Sequence, residues 1–405
     1  MQLKILNDNG SICSHTIEKD NFFQKELDNK VSYISSHSKE HNALNIFKSY
    51  FSNAKSILFD ESNKLLVQKL KDLNICEFNT ATTEETVFDT KEFSFIYFTS
   101  GSTGESTAAL KTKNNILSEI KALSALLKKY EIQKVVVTVP FVHIYGSLTG
   151  LFYPYFNDID IVLREHFLPN DLLDSIEENT LVVTTPLYIK ALNKISAHKD
   201  LSKALFLSST APLDPNDAKV FNEKFSCDIM QLFGSTETGG IAYKFNDESL
   251  WAPLQDVQIE VNEKNELKVI SPFVSKELYE NDFIDTDGEM QTFDFIESVG
   301  EKFKLIGRSS QILKIAGKRY STIQIENILE TQEAIEKALV YVKNDKNSLR
   351  GEVLDVTLET KNKFTAKEVK KLLQSQLSNL KFPMDLQCVK KIPVSSVGKK
   401  LRVNV

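Results

Sequence analysis

The sequence of 405 residues lacks the features that mark several classes of protein. Its four cysteines are widely spaced and form no C-x-x-C pair, which disfavours a disulfide framework and zinc ligation. No segment approaches the roughly 18 apolar residues of a membrane span, and the first residues contain no apolar region of signal-peptide length. The net charge of −6 argues against a general nucleic-acid surface. We therefore expect a cytoplasmic protein with no membrane and no nucleic-acid partner.

The patterning of the chain predicts an α/β protein. Apolar strands alternate with amphipathic helices at 114–130, 186–194 and 215–225, which predicts parallel or mixed sheets covered by helices. From about residue 252 short strands and turns predominate. We expect a large N-terminal domain at 1–307 with a small β-rich lobe at 252–307, a hinge at 308–310, and a small, mobile α+β C-terminal domain at 311–405.

The most informative segment is a strand that leads into a glycine-rich loop. The apolar residues 93–98 predict a buried strand, and residues 99–104 (TSGSTG) follow it directly. Glycines allow close backbone approach, and successive N–H groups with hydroxyls can surround phosphate oxygens. Most loops of this composition are plain surface turns, but the preceding strand favours a ligand site. The Walker spacing is absent because no lysine follows the second glycine.

Other strand ends carry small polar turns. Residues 208–213 (SSTAPL) could be a ligand loop or a plain turn before a helix, whereas residues 232–240 place the carboxylate of Glu237 among hydroxyls and glycines, a composition suited to magnesium beside phosphate. Residues 140–146 (PFVHIYG) contain His143 between apolar neighbours. A histidine there is either a packing residue or part of a pocket.

In this order, the segments resemble the adenylate-forming (AMP-binding) ligase superfamily of acyl-CoA synthetases, adenylation domains and luciferases. The reduced length before the phosphate loop is similar to that of short stand-alone ligases that load acyl carrier proteins. The segments that carry the resemblance are 99–104, 140–146, 208–213, 233–237 (FGSTE), 283–287 (FIDTD), 307–308 (GR), 314–317 (KIAG) with 325–326 (IE), and 398–399 (GK) with Arg402.

The resemblance implies ATP, Mg²⁺ and a role for each matched residue. Lys399 and Thr236 would be catalytic, and Glu237 would be catalytic and bind the metal. His143 and Gly146 would line the acid pocket, and Ser310 would be the hinge. A thiol channel would contain Lys314 and Gly317. The nucleotide contacts would be Thr99, Ser100, Gly101, Ser102, Thr103, Gly104, Ala211, Pro212, Phe233, Gly234, Asp287 and Arg308.

Two departures from the family pattern leave questions open. Ser106 and Thr107 replace the usual Pro-Lys of the phosphate loop, so a cation is missing there unless Lys111 or Lys113 reaches back. The ribose-binding aspartate falls within 285–287, with a register that can slip by one residue.

The expected reaction is activation of a carboxylic acid to an acyl-adenylate, with release of pyrophosphate and transfer to a pantetheine thiol of coenzyme A or of a phosphopantetheinyl carrier protein. Residues 141–145 contain no aspartate that would anchor an amino-acid substrate. The aromatic residues between 141 and 155 suit an aryl or fatty acid, or belong to the core. Lysines between 361 and 400 could meet an acidic carrier protein or form a solvated face. The alternatives are a catalytically weakened module that binds nucleotide or carrier protein, and a relative with an oxidative or amide-forming second step.

Overall fold

The structure is a computed structural model. It describes residues 1–35, 38–60, 64–78, 85–98, 107–263, 265–308, 312–315, 318–344, 352–374, 383–394 and 400. In this part of the chain, no helix has the length and apolar character needed to cross a membrane.

Strands account for much of the described chain. They are β1 (Gln2–Leu6), β2 (Ile12–Thr16), β3 (Val31–Ser35), β4 (Lys55–Phe59), β5 (Phe95–Phe98), β6 (Ala108–Lys111), β7 (Lys134–Val137), β8 (Asp160–Leu163), β9 (Thr180–Thr184), β10 (Leu205–Ser208), β11 (Asp228–Ser235), β12 (Gly239–Phe245), β13 (Ala252–Pro253), β14 (Gln258–Val261), β15 (Glu266–Ile270), β16 (Glu277–Tyr279), β17 (Phe283–Asp285), β18 (Glu289–Val299), β19 (Lys302–Arg308), β20 (Ile312–Ile315), β21 (Lys318–Ser321), β22 (Lys337–Asn344), β23 (Glu352–Glu359) and β24 (Met384–Val389).

Helices connect these strands. They are α1 (Lys19–Phe22), α2 (Lys39–Phe51), α3 (Lys64–Asp72), α4 (Lys113–Leu127), α5 (Ile144–Ser147), α6 (Tyr153–Phe156), α7 (Pro169–Ser175), α8 (Pro186–Lys194), α9 (Pro215–Phe225), α10 (Thr322–Glu330) and α11 (Ala366–Gln374), with 3₁₀ turns at Lys25–Leu27 and Lys128–Tyr130 and a π-helical turn at Leu148–Phe152.

Local chemistry explains where several helices begin. The Ser38 side chain accepts a hydrogen bond from the N–H of His41 at the start of α2. Thr112 and Asn115 form a capping box at α4, so each side chain satisfies a backbone N–H that the helix leaves unpaired. Asp214 caps α9, and Pro215 fits its first turn because that position needs no N–H donor.

The chain forms two compact units, and the first contains residues 1–259 and 269–290. Its nine-stranded sheet has the order β13-β12-β11-β10-β9-β7-β8-β1-β2 and is parallel from β11 to β1. Its six-stranded sheet has the order β17-β16-β6-β5-β4-β3. A buried core under the large sheet includes Phe206, Phe221 and Phe225. The predicted large domain of mixed sheets covered by helices is confirmed.

The second unit contains residues 260–268 and 291–405. It includes most of a four-stranded sheet of order β14-β15-β18-β19, the β20–β21 hairpin, and a three-stranded sheet of order β22-β23-β24 packed with α10 and α11. A smaller C-terminal part with its own sheet was expected and is found.

The expected β-rich lobe at 252–307 does not form one body. Its strands β16 and β17 join the six-stranded sheet, because Glu277 pairs with Leu110 of β6 and Asp285 pairs with Glu277. The compact units therefore divide the chain at other positions than the sequence suggested. Rotation about a hinge at 308–310 stays a prediction, and residues 309–310 lie outside the described chain.

Candidate functional site

Three of the sequence motifs meet at one edge of the nine-stranded sheet. Because β7, β9, β10 and β11 are parallel neighbours, their carboxyl ends lie side by side. Residues 140–146 follow β7, residues 208–213 begin at the end of β10, and residues 233–237 end β11 and continue beyond it. This edge is where α/β proteins of this kind bind ligands.

The segment after β7 is held in place by a buried tyrosine. The hydroxyl of Tyr145 donates toward the carbonyl oxygens of Thr184 (3.0 Å) and Leu207 (2.6 Å), at the ends of β9 and β10. A Cβ atom at Gly146 would lie 2.0 Å from the carbonyl oxygen of Pro140, so only glycine allows this close approach. The His143–Gly146 turn is thus fixed against the strand ends.

His143 is half-buried at the start of α5. Burial lowers the pKa of His143, and attraction to the carboxylate of Asp60, at the end of β4, opposes that effect. We conclude that the imidazole is mainly neutral at pH 7. Asp60 is 83 positions away in sequence, and no pattern in the sequence pointed to it.

Aromatic residues on either side of His143 belong to the core. Phe141, Phe152 and Tyr153 are buried. The centre of the Phe152 ring lies 5.0 Å from that of Tyr50 on α2 and 5.7 Å from that of Phe95 on β5. Of the two interpretations of this segment, core packing therefore holds for these rings. A π-helical turn, a feature common near functional sites, lies in the same segment at Leu148–Phe152.

Strand β5 leads to the glycine-rich loop. The hydroxyls of Tyr97 and Ser147 are 2.7 Å apart in a buried contact, which ties β5 to α5. Phe98 is the last described residue before this loop. The predicted nucleotide contacts lie outside the described residues: Thr99, Ser100, Gly101, Ser102, Thr103 and Gly104. Tyr97, near the end of β5, therefore lies beside α5, which follows His143.

The loop after β10 and the end of β11 contain further predicted contacts. Ala211 is half-buried and Pro212 is exposed. The Ser209 hydroxyl donates to the carbonyl oxygen of Leu232 (2.8 Å), which joins the two loops. Phe233 packs against Trp251 at 5.5 Å, and Gly234 pairs with Gly240 beyond a register shift in the β11–β12 ladder.

A hydroxyl-rich turn presents Thr236 and Glu237. The N–H of Ser235 donates to the Thr238 hydroxyl (3.0 Å), and the N–H of Thr238 donates back to the Ser235 hydroxyl (3.2 Å). This reciprocal pair leaves Thr236 and Glu237 half-buried at the tip. No described residue donates a hydrogen bond to the Glu237 carboxylate, so its oxygens can serve as metal ligands.

A buried lysine supports this turn from below. Lys111, on β6, is 1% exposed, and its Nζ donates to the backbone oxygens of Glu237 (2.9 Å) and Phe273 (2.6 Å). Glu119, on α4, accepts from the N–H of Gly240 (2.8 Å). A Cβ atom at Gly239, where φ is +70°, would lie 2.5 Å from the Glu119 carboxylate. Lys111 and Glu119 thus form hydrogen bonds with opposite ends of the 237–240 segment.

The two buried charges act on each other. Burial lowers the pKa of Lys111, while Glu119 and Glu237 oppose the shift. Burial also raises the pKa of Glu119, opposed by Lys111 and the Gly240 N–H. Sequence reasoning missed Glu119, because a glutamate on an amphipathic helix is normally solvated.

Lys113, the other lysine considered for the phosphate loop, faces elsewhere. Its Nζ donates to the side chain of Asn53 and lies 4.7 Å from the centre of the Tyr50 ring. Lys111 is therefore the lysine that the structure places in contact with the Glu237 turn.

The segment predicted to hold ribose connects to the same turn. The N–H of Ser275 donates to the Glu237 carbonyl oxygen (2.9 Å), and the Thr286 hydroxyl donates to the Ser275 carbonyl oxygen (2.5 Å). Asp287 adopts a left-handed conformation with φ +52°, and its N–H donates to Asp285 Oδ1 (2.9 Å). Both carboxylates line a cavity of about 370 Å³, together with Glu92, Leu110, Thr112, Lys276 and Glu277. Asp285 and Asp287, the two aspartates within the segment predicted to bind ribose, therefore line the same cavity.

The remaining predicted residues lie in the second unit or outside the described chain. Arg308 ends β19, and its Nε donates to the buried carboxylate of Asp294 (3.1 Å). Lys314 lies in β20 and pairs with Arg319 of β21. Ser310, Gly317 and Lys399 are outside the described residues. Asp287 and Arg308 belong to different units, so their pairing around a ribose stays a prediction.

Fold and site define the class: an α/β protein in which segments rich in glycines and hydroxyls, with one carboxylate, meet at the carboxyl edge of a parallel sheet. The model of the AMP-binding enzyme family matches residues 20–278, well over half of the chain. The chain belongs to this family, and the sequence resemblance is confirmed.

Individual relatives agree with this assignment. The long-chain-fatty-acid–CoA ligase of Bacillus subtilis is 24% identical over 343 residues, covering 77% of this chain and 61% of that enzyme. The 3,4-dihydroxybenzoate–[aryl-carrier protein] ligase of Bacillus anthracis is 22% identical over 393 residues, covering 94% of this chain and 86% of that enzyme. This chain thus spans about three fifths of the length of the fatty-acid ligase.

A solved structure has the same fold. The o-succinylbenzoate coenzyme A synthetase of Bacillus subtilis, in complex with ATP and magnesium ion, superposes with a TM-score of 0.80 at 16% identity. The match covers 98% of this chain and 95% of that chain. At this identity, the likeness concerns the fold.

Proposed function

We propose that this protein uses ATP and Mg²⁺ to activate an aryl or fatty carboxylic acid and then transfers the acyl group to a pantetheine thiol. In the first step, a carboxylate oxygen attacks the α-phosphorus of ATP, the bond to the bridging oxygen breaks, and pyrophosphate leaves. In the second step, the thiol sulfur attacks the acyl carbon and AMP leaves. The thiol belongs to coenzyme A or to an acyl carrier protein.

The observation that carries this proposal is the convergence of residues 140–146, 208–213 and 233–237 at one sheet edge. Hydrogen bonds run from Tyr145 of the first segment to Leu207 of β10, and from Ser209 of the second segment to Leu232 of β11, directly before the other two segments begin. The acid pocket, the adenine side and the α-phosphate contact would therefore be adjacent. Such fixed placement lets a site stabilise developing charge without reorganising.

The donor set near Glu237 fits Mg²⁺. Magnesium prefers oxygen ligands and usually binds through one or two carboxylates plus phosphate oxygens. The Glu237 carboxylate would supply the protein ligand, and Thr236 would donate to the α-phosphate. Mg²⁺ supplies neutralisation of phosphate charge when bound. Lys111 holds the backbone beneath Glu237 and would add a positive field behind it.

Nucleotide and thiol contacts complete the proposal. Residues 99–104 would bind the β- and γ-phosphates, and Asp287 with Arg308 would bind the ribose. Lys399 would bridge the attacking carboxylate and the α-phosphate. After adenylation, the C-terminal part would turn about Ser310, bringing Lys314 and Gly317 to a thiol channel.

The names of the relatives support the acid class and the two possible acceptors. One relative is a fatty-acid–CoA ligase and another is an aryl-carrier ligase. Since the aromatic rings after His143 belong to the core, the acid class rests on these names rather than on the pocket. Exposed lysines of the second unit, Lys361, Lys363, Lys367, Lys371, Lys390 and Lys391, favour an acidic carrier protein as one acceptor.

The direct test is ATP–pyrophosphate exchange with a panel of aryl and fatty acids, followed by mass spectrometry with coenzyme A and with a phosphopantetheinylated carrier. We expect exchange with at least one acid and a mass gain on one thiol. Folded protein that binds ATP by calorimetry but exchanges with no acid would overturn the proposal and favour a nucleotide-binding module. An oxidised or amide product would identify the other second step.

Lys399→Ala provides a second test. We expect exchange to fall by at least about 100-fold, because a positioned cation at a developing charge typically contributes that much, while ATP still binds. Lys391→Ala is the matched control, since Lys391 is an exposed lysine of the same unit. Equal exchange rates in the two variants would show that Lys399 is misassigned.

A further inference from the structure

A cysteine, a histidine and a glutamate converge at the opposite end of the nine-stranded sheet from the Glu237 turn. Cys13 and His15 are two positions apart on the edge strand β2, so their side chains share one face. Glu40 lies in the first turn of α2. The Cys13 Sγ is 3.6 Å from His15 Nε2, which is 2.7 Å from Glu40 Oε1. All three atoms lie within 4.8 Å of one another.

The geometry does not fit a nucleophilic triad. In such a triad, one ring nitrogen of the histidine meets the nucleophile and the other meets the carboxylate. Here, the thiol and the carboxylate both approach Nε2. Convergence on one nitrogen leaves no relay through the ring, but it does surround a common point with a sulfur, a nitrogen and an oxygen.

We propose that Cys13, His15 and Glu40 form a binding site for Zn²⁺. Bond lengths of about 2.3 Å to sulfur and about 2.1 Å to nitrogen and oxygen, at tetrahedral angles, place S and N about 3.6 Å apart and N and O about 3.4 Å apart. The observed S–N distance already matches this value. The Glu40 carboxylate would withdraw by about 0.7 Å, replacing its contact with His15 by a bond to the metal.

The chemistry of the three ligands favours zinc among common divalent ions. Thiolate and imidazole select borderline and soft metals over Mg²⁺ and Ca²⁺. Binding converts the Cys13 thiol to thiolate and releases its proton, so affinity increases with pH. Water would fill the fourth position. Cys13 is exposed, and the His15 and Glu40 side chains are each 32% exposed, so the ion can enter without opening the fold.

The site would join an edge strand to a helix that reaches the core. From α2, Phe47 packs 6.2 Å from Phe152, and Lys39 donates to the backbone oxygens of Thr138 and Arg164. Zinc would therefore clamp the β1–β2 hairpin to the helix that supports the His143 segment. The spacing of the cysteines in the sequence argued against zinc. The sequence did not indicate this site because Glu40 is 25 positions from His15, and only the fold brings the two side chains together.

Cobalt substitution tests the site independently of enzymatic activity. The full-length protein is reduced, stripped with a chelator, and titrated with Co²⁺ and, separately, with Zn²⁺ against a chromogenic chelator. We expect one equivalent to bind, with a thiolate-to-cobalt charge-transfer band in the near ultraviolet. Cys13→Ser should abolish that band, and His15→Ala or Glu40→Gln should weaken Zn²⁺ at least about tenfold. Circular dichroism checks that each variant is folded.

Cys388→Ser is the matched control, because Cys388 is also exposed but lies on β24 of the second unit. It should retain the band and the affinity. No stoichiometric binding by the wild-type protein would overturn the proposal. So would a band that survives Cys13→Ser or disappears in Cys388→Ser, because the metal would then bind elsewhere.

Discussion

Two lysines are each held by three groups of the protein, yet their surroundings differ in kind. Lys111, in the first unit, donates to two backbone oxygens and has the Glu119 carboxylate nearby. Lys400, in the second unit, donates to the carboxylates of Glu326 (2.9 Å) and Glu330 (2.6 Å) and to the Ala338 oxygen (2.8 Å). One is fixed mainly by dipoles and the other mainly by charges.

The pKa values of the two lysines shift in opposite directions. Burial dominates at Lys111 and lowers its pKa, because carbonyl dipoles replace lost hydration only in part. Burial also opposes the charge of Lys400, but Glu326 and Glu330 outweigh it and raise the pKa of Lys400. Burial raises the pKa of Glu326 as well, and attraction to Lys400 opposes that effect.

The comparison separates two uses of a lysine. Lys111 is a cross-link between β6, the Glu237 turn and Phe273, where shape and hydrogen bonds matter most. Lys400 is an ionic anchor that attaches the chain beside Lys399 to α10, where charge matters most. Variants that keep or remove charge should therefore affect the two sites differently.

The largest expected effect belongs to Lys111→Met. Removing the ammonium takes the lysine donor from the carbonyls of Phe273 and Glu237, although Glu237 keeps the Ser275 N–H, and it leaves Glu119 buried without its opposite charge. This should cost about 3 kcal/mol of unfolding free energy and most of the exchange activity. Urea unfolding measures the first and ATP–pyrophosphate exchange the second. The double variant Lys111→Met/Glu119→Gln should recover part of the stability but not the activity. A single variant as stable as wild type would contradict the cross-link.

A second buried lysine, outside the site, tests the electrostatic half of the comparison. Burial lowers the pKa of Lys39 to about 8, with Glu165 opposing the shift, and its Nζ donates to the carbonyl oxygens of Thr138 and Arg164. At Lys39, the unfolded chain therefore binds more protons than the folded one between about pH 8 and pH 10.4. The contribution of Lys39 to the unfolding free energy should rise with pH across this window.

Comparison with Lys39→Met isolates that contribution. The unfolding free energy of the wild type minus that of the variant should become more positive by up to about 3 kcal/mol from pH 8 to pH 10.4. A lysine with a raised pKa behaves oppositely: the stabilisation from Lys400 is fully present below the unfolded pKa and is lost as pH rises through the folded value. A flat difference for Lys39→Met would remove the distinction between dipole-held and charge-held lysines.

Lys400→Met should have a smaller effect on stability, about 1–2 kcal/mol, because the site is half-buried and water can replace part of the anchor. As a positioning residue beside Lys399, it should lower exchange about tenfold, since a small misplacement of a catalytic group is costly. Lys400→Arg keeps the charge and should restore most of the activity. Rescue by Arg here, but not in Lys111→Arg, would support the comparison.

The sequence predicted features that depend on local pattern. Apolar runs located strands such as β7 and β10, and the polar turns at their ends meet at one place, because parallel strands share one carboxyl edge. It did not predict that β16 and β17 join the six-stranded sheet, since strand pairing depends on the whole fold. Glu119 was missed for a related reason: periodicity indicates which face of a helix is buried, but not that a carboxylate on that face meets a lysine and a backbone N–H.

The smallest effect should come from Lys113→Met, the matched control for Lys111→Met two positions away. The Lys113 ammonium contacts the Asn53 side chain and the Tyr50 ring, and such contacts near the surface contribute about 0.5–1 kcal/mol. Because neither partner touches the Glu237 turn, exchange should stay within about twofold of wild type, a difference of about 0.4 kcal/mol. If Lys113→Met instead abolished exchange and Lys111→Met did not, the working cation would be Lys113, and the buried cross-link under Glu237 would be only a packing feature.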